Sequence, residues 1–139
     1  MIPFVLDASV ALSIIFEDEF SSYSKAVAEI MSRSRAVVPI VWPLEIANAI
    51  LTAVRRQRIP REDAPMLIGS MDRLPVDIDR GIAPEFLTSS TLTVGLAHRV
   101  SAYDASYLEV AMRRGLPLAT QDERLIRAAD AAGIEILQP

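Results

Sequence analysis

Residues 101–137, SAYDASYLEVAMRRGLPLATQDERLIRAADAAGIEIL, contain the pattern that decides the fold of this chain. The pattern predicts, in order, a helix from Ser101 to Arg114, a strand over Leu116–Thr120, a helix over Asp122–Ala132 and a strand over Ile134–Leu137. Gly115 and Gly133 follow the two helices. Helices commonly end at a glycine, because the residue after the last turn often has a left-handed backbone conformation. Helices that alternate with short apolar strands are typical of an α/β layer fold with a mostly parallel sheet.

The residues before this stretch show the same alternation. Short apolar runs predict strands over Ile2–Leu6, Ala36–Pro39 and Val76–Ile78. Helical spacing predicts helices over Ala8–Phe16, Ser21–Arg33, Leu44–Arg56, Arg61–Arg73 and Pro84–Val100. The helix from Leu44 is apolar on most sides and carries one narrow polar stripe that includes Glu45 and Asn48, so it is predicted to be mostly buried.

Composition limits the classes of protein to which the chain can belong. Its 139 residues fit one domain, over residues 1–139, and the 51% of hydrophobic and 23% of charged residues exclude a disordered chain. The sequence has no cysteine, which excludes disulfides, zinc–thiolate and iron–sulfur sites, and cysteine catalysis. Because His98 is the single histidine, a histidine-rich metal site is excluded as well.

The net charge of −4 argues against a protein that coats a nucleic-acid duplex by charge alone. A nuclease that grips a strand locally and offsets its acidic centre with a metal ion remains compatible with this charge. No stretch has the composition of a signal peptide or of a membrane span. The expectation is therefore a soluble cytoplasmic protein that does not enter a membrane.

Four carboxylates stand where predicted strands pass into helices or in first helical turns: Asp7, Glu45, Asp104 and Asp122. Taken one at a time, each has a structural explanation, because acidic residues cap helices and favour the helix dipole in the first turn. Ser101 and Asp104, for example, have the spacing of a capping box. Asp122 is likewise a candidate N-cap of the helix that follows it.

Taken together, the same carboxylates indicate a site. Three of the four follow predicted strands, and the carboxyl ends of parallel strands meet at one edge of a sheet. At about 4–5 Å and an effective dielectric near 20, each converging pair would repel by roughly 3–4 kcal/mol, so a cation or raised pKa values must relieve the repulsion. All-oxygen ligands select Mg²⁺ or Mn²⁺, and such a metal suits phosphoryl chemistry because it activates a bound water and offsets phosphate charge.

The sequence around these carboxylates resembles the PIN-domain ribonucleases, and most closely the VapC-type toxins of toxin–antitoxin pairs. The resemblance rests on four segments: FVLDASVAL (residues 4–12), VPIVWPLEIANAI (38–50), HRVSAYDASYLEVAMRRGLPLATQDERLIRAA (98–129) and AGIEIL (132–137). These segments span the chain from end to end, whereas the middle, from about Arg55 to Ala97, matches only in length and helical character.

The resemblance implies a three-layer α/β/α sandwich with a central, mostly parallel sheet, and hydrolysis of RNA phosphodiester bonds. It matches Asp7, Glu45, Asp104 and Asp122 to the acidic quartet of the family. On this basis Asp7, Asp104 and Asp122 are expected to bind Mg²⁺, for which Mn²⁺ can substitute. Glu45 is expected to orient or deprotonate the attacking water.

The resemblance also extends to polar residues beside the acids and to partners. Ser9 and Thr120 match small hydroxyl residues beside the first and fourth acids, and Asn48 matches a polar residue one turn after the second. The implied partners are a single-stranded or structured RNA substrate, a second copy of the chain in a homodimer, and a small antitoxin protein that blocks the site.

Two other readings stay open at this stage. One is another acidic-site α/β phosphohydrolase or a phospho-acceptor domain. Against it, Ser9 stands where a haloacid-dehalogenase-type phosphatase has an aspartate, and the single lysine, Lys25, lies too early for a receiver domain. The other is a non-catalytic binding or scaffold module whose carboxylates only cap helices.

Basic and aromatic residues near the acids also have two interpretations each. One interpretation is an RNA-binding surface and the other is a solvated helix end for the basic cluster Arg55, Arg56, Arg58 and Arg61. Trp42 and Tyr103 are interpreted either as rings that stack on bases or as residues that pack in the core or at an interface. His98 lies outside the acidic motifs, so a structural or surface role is expected for it.

Overall fold

A computed structural model of the chain describes residues 2–139. Its strands are β1 (Phe4–Leu6), β2 (Ala36–Val38), β3 (Val76–Ile78) and β4 (Leu118–Ala119). They form a four-stranded sheet in the order β3–β2–β1–β4, and every pairing between neighbouring strands is parallel. Val5 of β1 is in register with Val37 on one side and with Leu118 on the other.

Seven α-helices within residues 2–139 flank this sheet. They are α1 (Ala8–Ile15), α2 (Ser22–Met31), α3 (Trp42–Arg55), α4 (Ala64–Asp72), α5 (Leu87–His98), α6 (Ala102–Arg114) and α7 (Glu123–Ala131). Helix α1 contacts α2, α3 and α4, whereas α6 packs against α5 and β1. The predicted α/β/α sandwich with a parallel central sheet is therefore confirmed.

The core lies between the sheet and these helices. Strands β1 and β2 are buried at every residue, and Tyr107 and Leu108 of α6 are fully buried against them. Gly115 ends α6 with a φ of 64°, a left-handed conformation that residues with a Cβ rarely adopt. No helix within residues 2–139 has the length and apolar character that crossing a membrane requires.

The predicted final strand over Ile134–Leu137 is wrong. A single parallel bridge between Leu118 and Ile136 stands in its place. Leu118 donates to the carbonyl of Glu135 and accepts from the backbone N–H of Leu137. Because β4 is only two residues long, it offers this segment too little backbone for a longer ladder.

The prediction of a mostly buried α3 is also wrong. Trp42, Ile46 and Ile50 face the core, but Leu44 and Leu51 are 73% and 50% exposed. Helix α3 packs against α1 and α4 on its core-facing side, and the stripe that contains Leu44 and Leu51 is left exposed.

Two other predicted helices are shorter than expected. The region from Arg61 starts with a 3₁₀ turn over Arg61–Asp63 before α4, and the region from Pro84 starts with one over Pro84–Phe86 before α5. Pro60 directly precedes the first of these turns, and Pro84 opens the second, in positions that suit the start of a helix. Arg99 then ends α5 with a φ of 56°.

The strand order places a crevice between β1 and β4. The chain runs from β1 outward through β2 to β3 on one side, and β4 pairs on the other side of β1. In open parallel sheets, ligands bind at such a switch point, outside the carboxyl ends of the strands. Asp7 directly follows β1 and Thr120 directly follows β4, so both lie at this edge.

Candidate active site

A cavity of about 580 Å³ opens at the carboxyl edge of the sheet, and all four predicted carboxylates line it. Asp7 precedes α1, Glu45 and Asp104 stand in the first turns of α3 and α6, and Asp122 precedes α7. Ser9 and Asn48 line the cavity as well. Among residues 2–139, no lysine, arginine or histidine lines it, so the cavity is strongly acidic.

Asp7 is held by hydroxyl groups from two elements. Its Oδ2 accepts hydrogen bonds from Ser9 Oγ at 2.7 Å and from Thr120 Oγ1 at 2.8 Å, and its Oδ1 accepts from the backbone N–H of Ser9 at 3.3 Å. Thr120 Oγ1 in turn accepts from the backbone N–H of Asp122 at 3.1 Å. Thr120 is 1% exposed, so a buried hydroxyl joins the first and fourth acids.

Glu45 is held by a tyrosine that the sequence analysis missed. The Tyr107 hydroxyl donates to Glu45 Oε1 at 2.8 Å and accepts from the backbone N–H of Ala8 at 3.2 Å. Burial raises the pKa of Tyr107, and the charges of Glu45 and Asp7 raise it further. The hydroxyl therefore stays protonated and remains a donor to Glu45.

The acidic side chains of the cavity influence one another's protonation. Burial raises the pKa of Glu45, the hydrogen bond from Tyr107 opposes the rise, and the charges of Asp7 and Asp104 add to it. Burial raises the pKa of Asp104, the charges of Asp7 and Asp122 add to the rise, and Arg124 opposes it. These carboxylates repel one another across the cavity, as their clustering predicts.

The capping explanation holds for some of the acids but not for all. Asp122 Oδ1 accepts from the backbone N–H groups of Arg124 at 2.9 Å and Leu125 at 3.1 Å, so Asp122 caps α7 and also lines the cavity. Ser101 Oγ accepts from the N–H of Asp104 at 3.1 Å. Within residues 2–139, Asp104 returns no hydrogen bond to Ser101. The predicted capping box is therefore wrong, because the Asp104 carboxylate lines the cavity instead.

The cavity fits a hydrated divalent cation by its donor chemistry. Within the described part of the chain, no three carboxylate or histidine side chains are grouped closely enough to hold one ion as a set. The carboxylates surround the cavity rather than meet at one point. Mg²⁺ keeps several of its waters and is commonly held by one or two carboxylates, which suits an open acidic cavity of this kind.

Other residues singled out in the sequence lie away from the cavity. Arg58 pairs with Asp18 at 2.8 Å and Glu19 at 3.4 Å, and its guanidinium stands over the ring of Phe16. Trp42 is buried in the core. Tyr103 differs from these residues, because it is 60% exposed and lines the acidic cavity.

The spacing of Tyr107 contains the signal that would have identified it. It follows Asp104 by three residues on α6, and residues three apart lie on the same face of a helix. A tyrosine in an otherwise apolar stretch also needs a partner for its hydroxyl when it is buried.

These features define a parallel α/β protein with a carboxylate-lined site at the carboxyl edge of its sheet. The chain belongs to the PIN domain family, whose model matches residues 4–131. PIN domains are generally nucleases that use divalent metal ions, which agrees with an acidic cavity that lacks basic side chains.

Two solved structures have a similar fold. PAE2754 from Pyrobaculum aerophilum is 26% identical, with a TM-score of 0.66 over 91% of this chain and 79% of that one. VapBC2 from Rickettsia felis, solved bound to a DNA fragment from its promoter, is 10% identical. Its TM-score is also 0.66, over 99% of this chain and 98% of that one, and at this identity the likeness shows the fold alone. No curated protein matches the sequence.

Proposed function

We propose that this chain is a Mg²⁺-dependent endoribonuclease that hydrolyses RNA phosphodiester bonds and acts as the toxin of a VapC-type toxin–antitoxin pair. The observation that carries the proposal is the convergence of Asp7, Glu45, Asp104 and Asp122 on one cavity without a basic side chain among its lining residues. Such a cavity repels an RNA phosphate unless a cation offsets its charge. A hydrolase that works with a divalent cation accounts for both properties.

In this proposal Asp7, Asp104 and Asp122 would hold the ion, directly or through water. When bound, Mg²⁺ or Mn²⁺ would lower the pKa of the attacking water and offset the charge of the attacked phosphate. Ser9 and Thr120 hold the Asp7 carboxylate in one orientation by donating to Oδ2. Fixed ligand orientation of this kind supports metal affinity and activity.

Glu45 would orient the attacking water and accept its proton. Burial raises its pKa toward the working pH, which is the direction that favours a general base. Tyr107 occupies Oε1 of Glu45, so the other carboxylate oxygen is left to face the water. Asn48 and the exposed ring of Tyr103 would contact the RNA at the rim, the latter by stacking on a base.

Two apolar surfaces support partner binding. Leu44 and Leu51 are exposed on α3, and Leu44 also lines the acidic cavity. We propose that an antitoxin covers this surface and blocks the cavity mouth. Helix α5 has no buried residue, and its Leu92 and Leu96 are 58% and 72% exposed, which supports α5 as the homodimer interface. Both assemblies would form in the cytoplasm.

A non-catalytic module is the second candidate function. It is favoured by the hydrogen bonds through which Asp7 caps α1 and Asp122 caps α7, since these give both acids a structural role. Glu45 has no such role, because its carboxylate bonds to Tyr107 rather than to a helix end.

Single-stranded RNA cleavage tests the proposal. Wild type, Asp104→Asn and the matched surface variant Asp72→Asn are compared with Mg²⁺, with Mn²⁺ and with EDTA. We expect cleavage by wild type and Asp72→Asn in either metal, none in EDTA, and a loss of at least about a hundredfold in Asp104→Asn, within the range for a lost metal ligand or proton-transfer group. Full activity of Asp104→Asn, or inactivity of wild type on varied RNAs, would contradict the proposal and favour the non-catalytic module.

A further inference from the structure

A second cavity adjoins the acidic one and has the opposite charge. It also measures about 580 Å³, and Asp104 lines both cavities. Its walls come from the end of α5, the connection to α6, the first turn of α6 and one side of α7 along its length. Four basic side chains line it: His98, Arg99, Arg124 and Arg127. Asp104 is the single acidic residue among those that line it.

The arginines of this basic cavity are free to bind a ligand. Within residues 2–139, neither Arg99, Arg124 nor Arg127 forms a salt bridge, although all three are exposed. The arginines that do pair, such as Arg35 and Arg113, lie outside this cavity. One carboxylate, that of Asp104, faces three arginines in this cavity, so its net charge is positive and it favours an anion.

The shape of the basic cavity also suits a phosphate group. Arg124 and Arg127 are three residues apart on α7, so they project from the same face of the helix. Arg99 lines the cavity from the end of α5, so basic side chains enter it from two elements. Ala97, Ala128 and Ala131 provide small side chains between them and leave room for a tetrahedral group.

The two cavities are neighbours, because the Asp104 side chain forms part of the wall of each. Asp104 feels the charge of Arg124, which opposes the rise of its pKa. An RNA strand that places one phosphate at the acidic cavity would therefore bring a neighbouring phosphate to the basic cavity. Because the acidic cavity repels the strand, an adjoining arginine cluster supplies the affinity and the register that the cleavage site lacks.

We propose that the basic cavity binds a backbone phosphate of the RNA strand, next to the phosphate that is cleaved. This inference rests on the proposed ribonuclease function. Arg124 and Arg127 act as a guanidinium clamp on the non-bridging oxygens, and Arg99 closes the cavity from the opposite side. The clamp sets which bond of the strand reaches the carboxylates.

Steady-state cleavage of a short RNA by the double variant Arg124→Gln/Arg127→Gln is the first test. The matched control is Arg33→Gln/Arg73→Gln, which removes the same charge from two exposed arginines that line neither cavity. We expect KM of the clamp variant to rise about tenfold or more, with kcat nearly unchanged, since hydrogen bonds to a charged group are lost that form before the reaction. An equal rise of KM in both double variants would mean that only the net charge of the protein matters, and it would overturn the proposal.

Neutral methylphosphonate linkages, placed one at a time along the same RNA, form the second test. We expect one position near the cleaved bond where the neutral linkage costs wild type about tenfold in kcat/KM and costs the clamp variant little, because the two changes remove the same interaction. If every neutral linkage affects both proteins equally, the basic cavity binds no phosphate.

A binding measurement separates this proposal from the proposed function. Affinity of the cleavage-impaired Asp7→Asn protein for labelled single-stranded RNA is measured across salt concentrations. The same measurement is made on Asp7→Asn that also carries Arg124→Gln/Arg127→Gln. Loss of the one clamped phosphate should lower the slope of log K against log salt by about 0.7. If wild type cleaves RNA but the clamp changes leave the salt slope unchanged, only the clamp proposal is contradicted. If the clamp changes lower the slope but wild type cleaves no RNA, only the ribonuclease proposal is contradicted.

Discussion

Tyr107 and Glu45, 62 residues apart in the sequence, are joined by a 2.8 Å hydrogen bond between the tyrosine hydroxyl and Oε1 of the glutamate. Tyr107 has the largest fully buried side chain of the described residues, and its hydroxyl also accepts from the N–H of Ala8 at 3.2 Å. One buried hydroxyl thus connects α6 to the first turns of α3 and α1. It fixes a carboxylate of the site directly to the core.

Replacing Tyr107 by phenylalanine tests this connection. We expect the free energy of unfolding to fall by about 1–3 kcal/mol, because the N–H of Ala8 and Glu45 Oε1 lose a buried partner. Since the hydrogen bond opposes the rise of the Glu45 pKa, its loss should shift the acid limb of the pH–rate profile to higher pH. Denaturant unfolding and the pH profile of RNA cleavage measure the two effects. Tyr103→Phe at the exposed rim is the control, and a profile identical to wild type would rule out a positioning role.

Thr120→Val removes the hydroxyl between the first and fourth acids without changing the side-chain shape. Asp7 Oδ2 keeps only the bond from Ser9 Oγ, and the N–H of Asp122 loses its acceptor. We expect about 1–3 kcal/mol of destabilisation and a clear loss of Mg²⁺ affinity. Thermal unfolding with and without Mg²⁺ measures both quantities. Thr93→Val on α5 also loses one hydroxyl contact but lies away from the site, so it should change stability alone.

Asp104→Asn should stabilise the protein while it removes activity. In the folded chain, burial and the charges of Asp7 and Asp122 raise the pKa of Asp104, so the folded state binds more protons than the unfolded state between the two pKa values. The contribution of this group to stability is therefore lost as the pH rises through the folded pKa. At pH 7 without divalent metal we expect the variant to be more stable by up to about 1 kcal/mol. The difference in stability between Asp104→Asn and wild type should vanish below about pH 4. Thermal unfolding is measured at both pH values, and an equal difference in stability at the two would contradict this account.

Divalent metal should stabilise the wild-type fold. A ligand that binds only the folded state adds about 2.7 kcal/mol at a hundredfold excess over its Kd. We expect MgCl₂ to raise the melting temperature and Asp7→Asn to remove most of the response, with NaCl at equal ionic strength as the control. If wild type and Asp7→Asn respond equally, the ion is not held at the carboxylate-lined cavity.

The exposed leucines of α5 should control the oligomeric state. Leu92 and Leu96 are one turn apart on a helix with no buried residue. We expect Leu92→Lys/Leu96→Lys to be monomeric by light scattering and to keep its fold, whereas Met66→Lys on α4 should leave a dimer intact. A dimer that survives the double change would place the interface elsewhere.

The parts of the fold that depend on short sequence patterns could be predicted from the sequence. Apolar runs and helix ends predicted the four strands and seven helices that form, although they also predicted a final strand that does not. The rule that parallel strands end at one edge placed Asp7 and Asp122 near each other, and both line the cavity. Tyr107 was missed because its role depends on a contact between α6 and α3 that no local pattern encodes. The exposure of Leu44 was missed for a similar reason, since periodicity shows that a helix is apolar but does not show which faces find a neighbour.

The bond between Thr120 and Asp7 spans 113 residues of sequence, and this separation ties the site to the order in which the chain is synthesised. A ribosome makes Asp7 and Glu45 early, but the hydroxyl that orients Asp7 and the fourth acid belong to the last fifth of the sequence. A nascent chain that lacks this segment also lacks β4, so the edge of the sheet beside β1 is still open. The acidic cavity is therefore completed only after Asp122 has been synthesised, and a chain that stops before Thr120 carries no assembled site.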